Sequence, residues 1–141
     1  MEIGVVGLGK MGSQIAQKLS DSSFTVFGYD QDEELSKNLS SSYEIDNNLS
    51  SLMGRFTSKK IIWLMVPSGD PTNDLIKELS KLMNTGDIII DGGNSYYKDS
   101  IKNSDICSQN GISFLDCGTS GGVWGLKNGF CLTIGGSENT Y

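Results

Sequence analysis

The feature that most constrains the fold of this chain is the junction between its first apolar run and the glycines that follow. Residues 2–6 lead directly into the sequence GLGKMG at residues 7–12, after which apolar side chains recur at helical spacing. A second apolar run, residues 24–29, is followed at once by Asp30. The order of strand, glycine turn, helix and strand is typical of a βαβ unit, and it predicts a parallel sheet.

This junction also has the spacing of a dinucleotide-binding fingerprint, with an acidic residue 18 positions after the last glycine. Gly7 would allow the sharp turn, Gly9 would leave room for a pyrophosphate, and Gly12 would let the helix approach the strand. The pyrophosphate would then lie on free N–H groups at the helix N-terminus. The alternative is a glycine-rich turn in some other βα unit, but strand, helix and acidic residue together favour a nicotinamide or flavin dinucleotide.

Asp30 predicts which dinucleotide is preferred. Its carboxylate can accept hydrogen bonds from the adenine ribose, and its charge repels a 2′-phosphate. Arg55, the only arginine, lies 25 residues further along the chain. We therefore expect NAD, with NADP the less favoured cofactor. Because ligands of open parallel sheets lie outside the carboxyl ends of the strands, the residues expected to bind it are Gly7, Leu8, Gly9, Lys10, Met11, Gly12, Asp30, Val66, Pro67 and Ser68.

Composition argues against several classes of protein. The chain has 17 acidic and 11 basic residues, a net charge of -6, which disfavours a nucleic-acid or anionic-membrane surface. No apolar run approaches the ~18 residues of a membrane span, and the N-terminus lacks a signal-peptide pattern, so we expect a cytoplasmic protein. Its 141 residues fit one domain of ordinary size.

The cysteines and the absence of histidine limit the chemistry. Cys107, Cys117 and Cys131 are odd in number and lack C-x-x-C spacing, so we expect reduced, buried thiols and neither disulfides nor a zinc site. The chain contains no histidine. Any general acid or base must therefore be Lys, Asp, Glu, Tyr or Cys.

Strand and helix signals alternate along the whole chain. This alternation predicts an α/β fold of the Rossmann type, with a doubly wound, mostly parallel sheet and helices on both faces. Further helices are expected at 32–42, near 49–53, at 75–83 and at 96–109, and further strands at 61–66, 87–91, 112–117 and 130–134. Ser95 is expected to cap the helix at 96–109, and Gly111 to end it. The Ser/Asn-rich stretch after residue 42 gives the weakest signal.

Two more motifs carry a family resemblance. The sequence DGGNS occupies residues 91–95, after one predicted strand, and SGG occupies residues 120–122. Together with GLGKMG they resemble the coenzyme domain of the 6-phosphogluconate dehydrogenases, within the wider β-hydroxyacid dehydrogenase group, over essentially the whole chain. Members of that family that use NADP usually carry an Asn-Arg pair where this chain has Asp30-Gln31. The segment 123–129 resembles an NAD-linked, decarboxylating branch.

The resemblance implies a reaction and a substrate site. The reaction would be oxidation of 6-phosphogluconate, a sugar-acid phosphate, by NAD, followed by loss of carbon dioxide to give ribulose 5-phosphate. Asn94 would contact both the nicotinamide and the substrate, and Ser120, Gly121 and Gly122 would bind the substrate carboxylate and hydroxyls. These groups suit that task, since an amide donates and accepts and glycine N–H groups bind carboxylates. Taken without the resemblance, Asn94 equally fits a helix cap and the glycines a connection between strands.

The family's large helical domain, which supplies its usual lysine base, has no counterpart in residues 1–141. We therefore expect an NAD-binding domain that shows little turnover alone, with its catalytic residues unknown, and a homo-oligomeric full-length protein. Two alternatives stay open: another β-hydroxyacid dehydrogenase acting on a small acid such as 3-hydroxyisobutyrate, and a non-catalytic NAD-binding module. Trp124 is expected either to shield the nicotinamide or to pack on the sheet edge. Asp116 is expected to be a strand-end hydrogen-bonding group.

Overall fold

The computed structural model describes residues 1–39 and 42–140. Its described part is built on one seven-stranded sheet with the strand order β3-β2-β1-β4-β5-β6-β7. The first six strands are parallel, and β7 pairs antiparallel with β6, so the predicted mostly parallel α/β fold is confirmed. The strands are β1 (Glu2–Val6), β2 (Thr25–Tyr29), β3 (Glu44–Asp46), β4 (Ile61–Leu64), β5 (Ile88–Asp91), β6 (Ser113–Ser120) and β7 (Cys131–Gly136).

The helices cover both faces of the sheet, as the alternation of apolar runs predicts. They are α1 (Lys10–Asp21), α2 (Glu33–Asn38), α3 (Leu49–Arg55), α4 (Asp70–Leu82), α5 (Tyr97–Gln109) and α6 (Gly125–Asn128), with 3₁₀ turns at Gly122–Trp124 and Glu138–Thr140. Pro71 lies in the first turn of α4, where its missing N–H leaves no hydrogen bond unmade. Within the described residues, none of the helices has the length and apolar character needed to span a bilayer.

The core lies on both faces of β4, which explains its continuous apolar run. Ile62 and Leu64 are fully buried in the cluster that includes Ile76 of α4. Trp63 points to the opposite face, where it packs with Ile15 of α1. A strand buried on both sides needs apolar residues at every position, and each such side chain contributes roughly 1.5–3 kcal/mol on burial.

Two departures from the sequence prediction lie between residues 32 and 46. The helix expected at 32–42 is shorter, with Asp32 capping its start by accepting the N–H groups of Glu34 and Leu35; Ser40 and Ser41 lie outside the described residues. Strand β3 was not predicted, because its sequence is mostly polar. Side chains of α3 stabilise its end: the buried carboxylate of Asp46 accepts hydrogen bonds from the Ser51 hydroxyl at 2.7 Å and from Nε of Arg55 at 3.2 Å.

The second half departs from prediction around β6. The strand runs to Ser120, because β7 pairs with it from Leu115 onward. Residues 118–120 are therefore strand where a loop was expected, and Asp116 lies within a strand and not at its end. Ser95 was wrongly expected to cap α5: the N-cap is Tyr96, and the buried Ser95 hydroxyl makes no hydrogen bond among the described residues.

The cysteines and Trp124 are also placed differently from expectation. Cys107 and Cys117 are buried as predicted, and burial raises the pKa of Cys107 to about 12. Cys131 is exposed, so the prediction of a buried thiol was wrong there, because this residue begins the edge strand β7. Trp124 is 68% exposed, which rules out the predicted packing on the sheet edge within this structure.

Asp116 and Asp91 are neighbours in the register of β5 and β6. Burial raises the pKa of Asp116, the negative charge of Asp91 raises it further, and the Ser100 hydroxyl lowers it by a smaller amount. A carboxyl group with a raised pKa binds its proton more tightly in the folded state. Its ionisation therefore disfavours folding as the pH rises above the unfolded value, near 3.8.

A first prediction concerns the close approach of α1 to the sheet. A Cβ at Gly12 would overlap the carbonyl oxygen of Gly7, whereas a Cβ at Gly54 in α3 meets nothing within 4 Å. We expect Gly12→Ala to lower the free energy of unfolding by about 2 kcal/mol or more, and Gly54→Ala to raise it by about 0.5–1 kcal/mol. Urea denaturation followed by circular dichroism measures both, and equal effects of the two variants would contradict the packing described.

A second prediction concerns Asp116. Because the ionised carboxyl is disfavoured in the fold, Asp116→Asn should become more stable relative to the parent as the pH rises from below 3.8 to 7. Urea denaturation at several pH values measures the difference in unfolding free energy between variant and parent. Asp105→Asn, which removes an exposed carboxylate from α5, is the matched control for the loss of one charge. A difference that falls with rising pH would reverse the sign argued here.

Candidate dinucleotide-binding site

A cleft of about 670 Å³ lies at the carboxyl ends of β1, β2, β4 and β5. This is the edge of the sheet where the sequence predicts the ligand site, and the volume falls within the range of small-molecule pockets. One wall is formed by the glycine turn after β1, another by α4, and the far end by the loop after β5. The lining residues are Val6, Gly7, Gly9, Met11, Tyr29, Asp30, Gln31, Leu49, Met65, Val66, Pro67, Pro71, Asp74, Leu75, Glu78, Gly92, Gly93 and Asn94.

The glycine turn requires glycine for two different reasons. Gly7 has φ +92°, and a Cβ there would stand 2.6 Å from the carbonyl oxygen of Met65. Gly9 has ordinary dihedral angles, and a Cβ there would meet nothing within 4 Å. The fold therefore needs glycine at position 7, whereas at position 9 it leaves open space beside the cleft.

Helix α1 begins directly at this turn. Gly9 is its N-cap and offers no side-chain cap, so the N–H groups of the first helical turn are not satisfied by a side chain. The positive end of the helix dipole adds to the attraction that these groups exert on an anion. Gly9 and Met11 both line the cleft. The arrangement suits a pyrophosphate.

Asp30 is held in place by the glycine turn itself. One carboxylate oxygen, Oδ2, accepts the N–H of Leu8 at 2.6 Å, and the other, Oδ1, accepts the N–H of Asp32 at 2.9 Å. The end of β2 is thereby joined to the turn after β1, an arrangement that the N–H of Gly7 reinforces by donating to the carbonyl of Tyr29 at 2.9 Å. A carboxylate has about four acceptor positions, so two remain for a ligand.

Helix α4 forms a wall that sequence reasoning missed. Pro71, Asp74, Leu75 and Glu78 follow one another at helical spacing and line the cleft opposite the glycine turn. The sequence signal that could have revealed this wall is the helical spacing of these four residues, which form a second stripe beside the apolar stripe that packs on the sheet. This wall is acidic, since it carries Asp74 and Glu78. Its charge acts on Tyr29, which lines the same cleft: burial raises the pKa of Tyr29, and the charges of Glu78 and Asp30 raise it further.

The loop after β5 closes the far end of the cleft. Asp91 is fully buried, and its Oδ1 accepts the N–H of Gly93 at 3.0 Å. Asn94 has φ +55°. Its side-chain Oδ1 accepts the N–H of Thr119 at 3.0 Å, and its Nδ2 donates to the carbonyl of Thr119 at 3.2 Å. The amide of Asn94 is thus bonded to the end of β6.

The structure brings together most of the residues predicted to bind the cofactor. Gly7, Gly9, Met11, Asp30, Val66, Pro67 and Asn94 line the cleft. Leu8 is buried behind the turn, and its backbone N–H donates to Asp30. Gly12 packs against Gly7, and Lys10 and Ser68 are exposed beside the cleft. The predicted substrate residues Ser120, Gly121 and Gly122 are exposed beyond Asn94, at the end of β6, outside this cleft.

Comparison with known proteins agrees with this geometry. A family model described as the NAD binding domain of 6-phosphogluconate dehydrogenase matches residues 2–141. The NAD(+)-dependent, decarboxylating 6-phosphogluconate dehydrogenase of Haloferax volcanii is 34% identical over 142 residues, which are 100% of this chain and 46% of that protein. The chain thus spans about half the length of curated relatives that it matches.

Solved structures show the same architecture. The 6-phosphogluconate dehydrogenase of Plasmodium falciparum, solved alone, with its cofactor NADP+ and with its substrate 6-phosphogluconate, superposes with a TM-score of 0.91 at 26% identity, over 100% of this chain and 32% of that one. The 3-hydroxyisobutyrate dehydrogenase of Mycobacterium tuberculosis superposes with a TM-score of 0.87 at 20% identity, over 99% of this chain and 47% of that one. At 20% identity, the similarity to the Mycobacterium tuberculosis enzyme shows a shared fold.

Proposed function

Since this chain belongs to the family of NAD-binding domains of 6-phosphogluconate dehydrogenase, we propose that its cleft binds NAD in preference to NADP. The observation that carries the proposal is the pairing of an open glycine turn with a fixed carboxylate. Gly9 and Asp30 line the same cleft, and the N–H of Leu8 between the glycines donates to that carboxylate. A dinucleotide needs both features, one for its pyrophosphate and one for its ribose.

The pyrophosphate fits at the start of α1. The space beside Gly9 is open, and the helix offers N–H groups and the positive end of its dipole. These groups are held by backbone structure, so they are oriented before a ligand arrives.

The adenosine end fits the region between Asp30 and α4. Asp30 has acceptor positions left for ribose hydroxyls, and Leu75 and Pro71 offer apolar contact to a base. Asp74 and Glu78 add negative charge to the same region, which disfavours a 2′-phosphate. Among the described residues that line the cleft, none is a lysine or an arginine. This charge pattern supports NAD, although the Plasmodium falciparum relative uses NADP+.

The nicotinamide end then falls near Gly92, Gly93 and Asn94, beside Ser120, Gly121 and Gly122. When bound there, NAD supplies a hydride acceptor for the carbon that bears a substrate hydroxyl. We propose that a longer protein containing this domain oxidises and decarboxylates 6-phosphogluconate, as the name of the Haloferax volcanii relative describes for that enzyme. This chain's own contribution is to bind the cofactor and to present the N–H groups and hydroxyl of residues 120–122 to a sugar-acid phosphate. The catalytic base would come from elsewhere in such a protein.

A third prediction tests the pyrophosphate site. Gly9→Val places a branched side chain in the open space beside the cleft, so it should weaken NADH binding at least tenfold, about 1.4 kcal/mol, by blocking the pyrophosphate. The free energy of unfolding should change by less than about 1 kcal/mol, because a Cβ at this position meets no atom within 4 Å. Gly54→Val, at a second open glycine in an ordinary conformation, is the control. Calorimetric titration with NADH measures binding, and undiminished affinity in a folded Gly9→Val chain would exclude this turn as the site.

A fourth prediction tests the choice of cofactor. The parent chain should bind NADH more tightly than NADPH, and Asp30→Asn should narrow that difference by about 1–3 kcal/mol, because it removes a charge and charge-assisted hydrogen bonds. Asp32→Asn removes the same charge two residues away and keeps a good helix N-cap, so it should leave the difference nearly unchanged. Equal affinities of the parent for NADH and NADPH would overturn the preference.

A further inference from the structure

The side-chain amide of Asn94 uses its donor and its acceptor on one residue. Oδ1 accepts the N–H of Thr119, and Nδ2 donates to the carbonyl of Thr119. An amide side chain presents the same donor and acceptor as a peptide group. Asn94 therefore contacts Thr119 as a neighbouring strand would.

The ends of β5 and β6 explain why such a contact is needed. The last pair between the two strands is Asp91 with Asp116, yet β6 continues to Ser120. Beyond that pair, none of the described strands lies on the β5 side of β6. Thr119 is only 4% exposed, and a buried N–H and C=O without partners would cost free energy comparable to lost hydrogen bonds. The amide of Asn94 satisfies both groups.

The backbone at Asn94 is shaped for this contact. Its φ of +55° lies in the left-handed region, which asparagine adopts more readily than most residues. Asp91 holds the same loop from beneath by accepting the N–H of Gly93. The loop is thus fixed at one side to β5 and at the other to β6.

This contact joins the two parts of the proposed site. Asn94 lines the cofactor cleft, and Ser120 follows Thr119 directly in the chain. We infer that Asn94 is a positioning residue: through Thr119 it fixes residues 120–122 relative to the cleft, so that order imposed by the cofactor at Asn94 passes to the segment that faces the substrate. The inference rests on the proposed function for the identity of both ligands.

The first part of the test uses the chain without ligand. Asn94→Gly keeps a residue that tolerates positive φ and removes the side chain with its amide. Amide hydrogen exchange, followed by NMR, should be faster at Thr119 by about tenfold to a hundredfold, the effect of losing two ordinary hydrogen bonds. Exchange at Leu115 and Cys117 in the same strand should not change. Ser23→Gly, at the other non-glycine residue with positive φ among those the structure describes, is the control.

The second part measures the link to the cofactor. At saturating NADH, exchange at residues 120–122 should slow at least threefold in the parent chain and not in Asn94→Gly. Asn94→Asp, whose carboxylate can accept from Thr119 but repels its carbonyl, should lose part of the slowing and serves where the glycine variant does not fold. If NADH binds but Thr119 exchanges alike in parent and variant, or if the variant keeps the slowing, the inference is wrong. If the parent does not bind NADH, the proposed function fails, and the link fails with it.

Discussion

The site depends first on the packing of Gly12 against the carbonyl of Gly7. Because Gly12 has no side chain, α1 can approach β1 more closely than any other residue at this position would allow. The close approach directs the first turn of the helix into the cleft. The same turn is clamped on both sides of β1, since Gly7 donates to Tyr29 and Met65 donates to Val6 at 2.7 Å. The proposed pyrophosphate site is made of backbone N–H groups, so its geometry depends on the surrounding backbone, which three parallel strands hold in place.

Buried or half-buried carboxylates hold several loops and strand ends in place by accepting hydrogen bonds from backbone N–H groups. Asp30 joins β2 to the glycine turn, Asp91 shapes the loop after β5, and Asp87 accepts the N–H groups of Lys60 and Asn84 before β4 and β5. Each hydrogen bond to a charged acceptor is stronger than a neutral one. The net charge of -6 is therefore partly structural, because several of the acids are used inside the fold and do not form a surface for a partner.

The sequence predicts the parts of this fold whose causes are local. The glycine turn and the continuous apolar run of β4 are each determined by a few consecutive residues, and both were predicted. Strand β3 was not, because its three residues form a strand by pairing with β2, which lies 17 residues earlier in the chain. The extension of β6 to Ser120 depends on β7, and the contact of Asn94 with Thr119 joins residues 25 positions apart. Such pairings depend on the order of strands in the sheet, which periodicity does not report.

The two parts of the proposed site also differ in how they are held. Around the cofactor cleft, hydrogen bonds fix Asp30 and Gly7 before any ligand arrives, so little ordering remains to oppose binding. Residues 120–122 are exposed, with φ of +142° at Gly121 and +50° at Gly122. These glycines leave the segment more conformational freedom, and its order rests on its neighbours. A substrate bound there must therefore bear more of the ordering cost than a cofactor does, unless the contact at Thr119 has already reduced it.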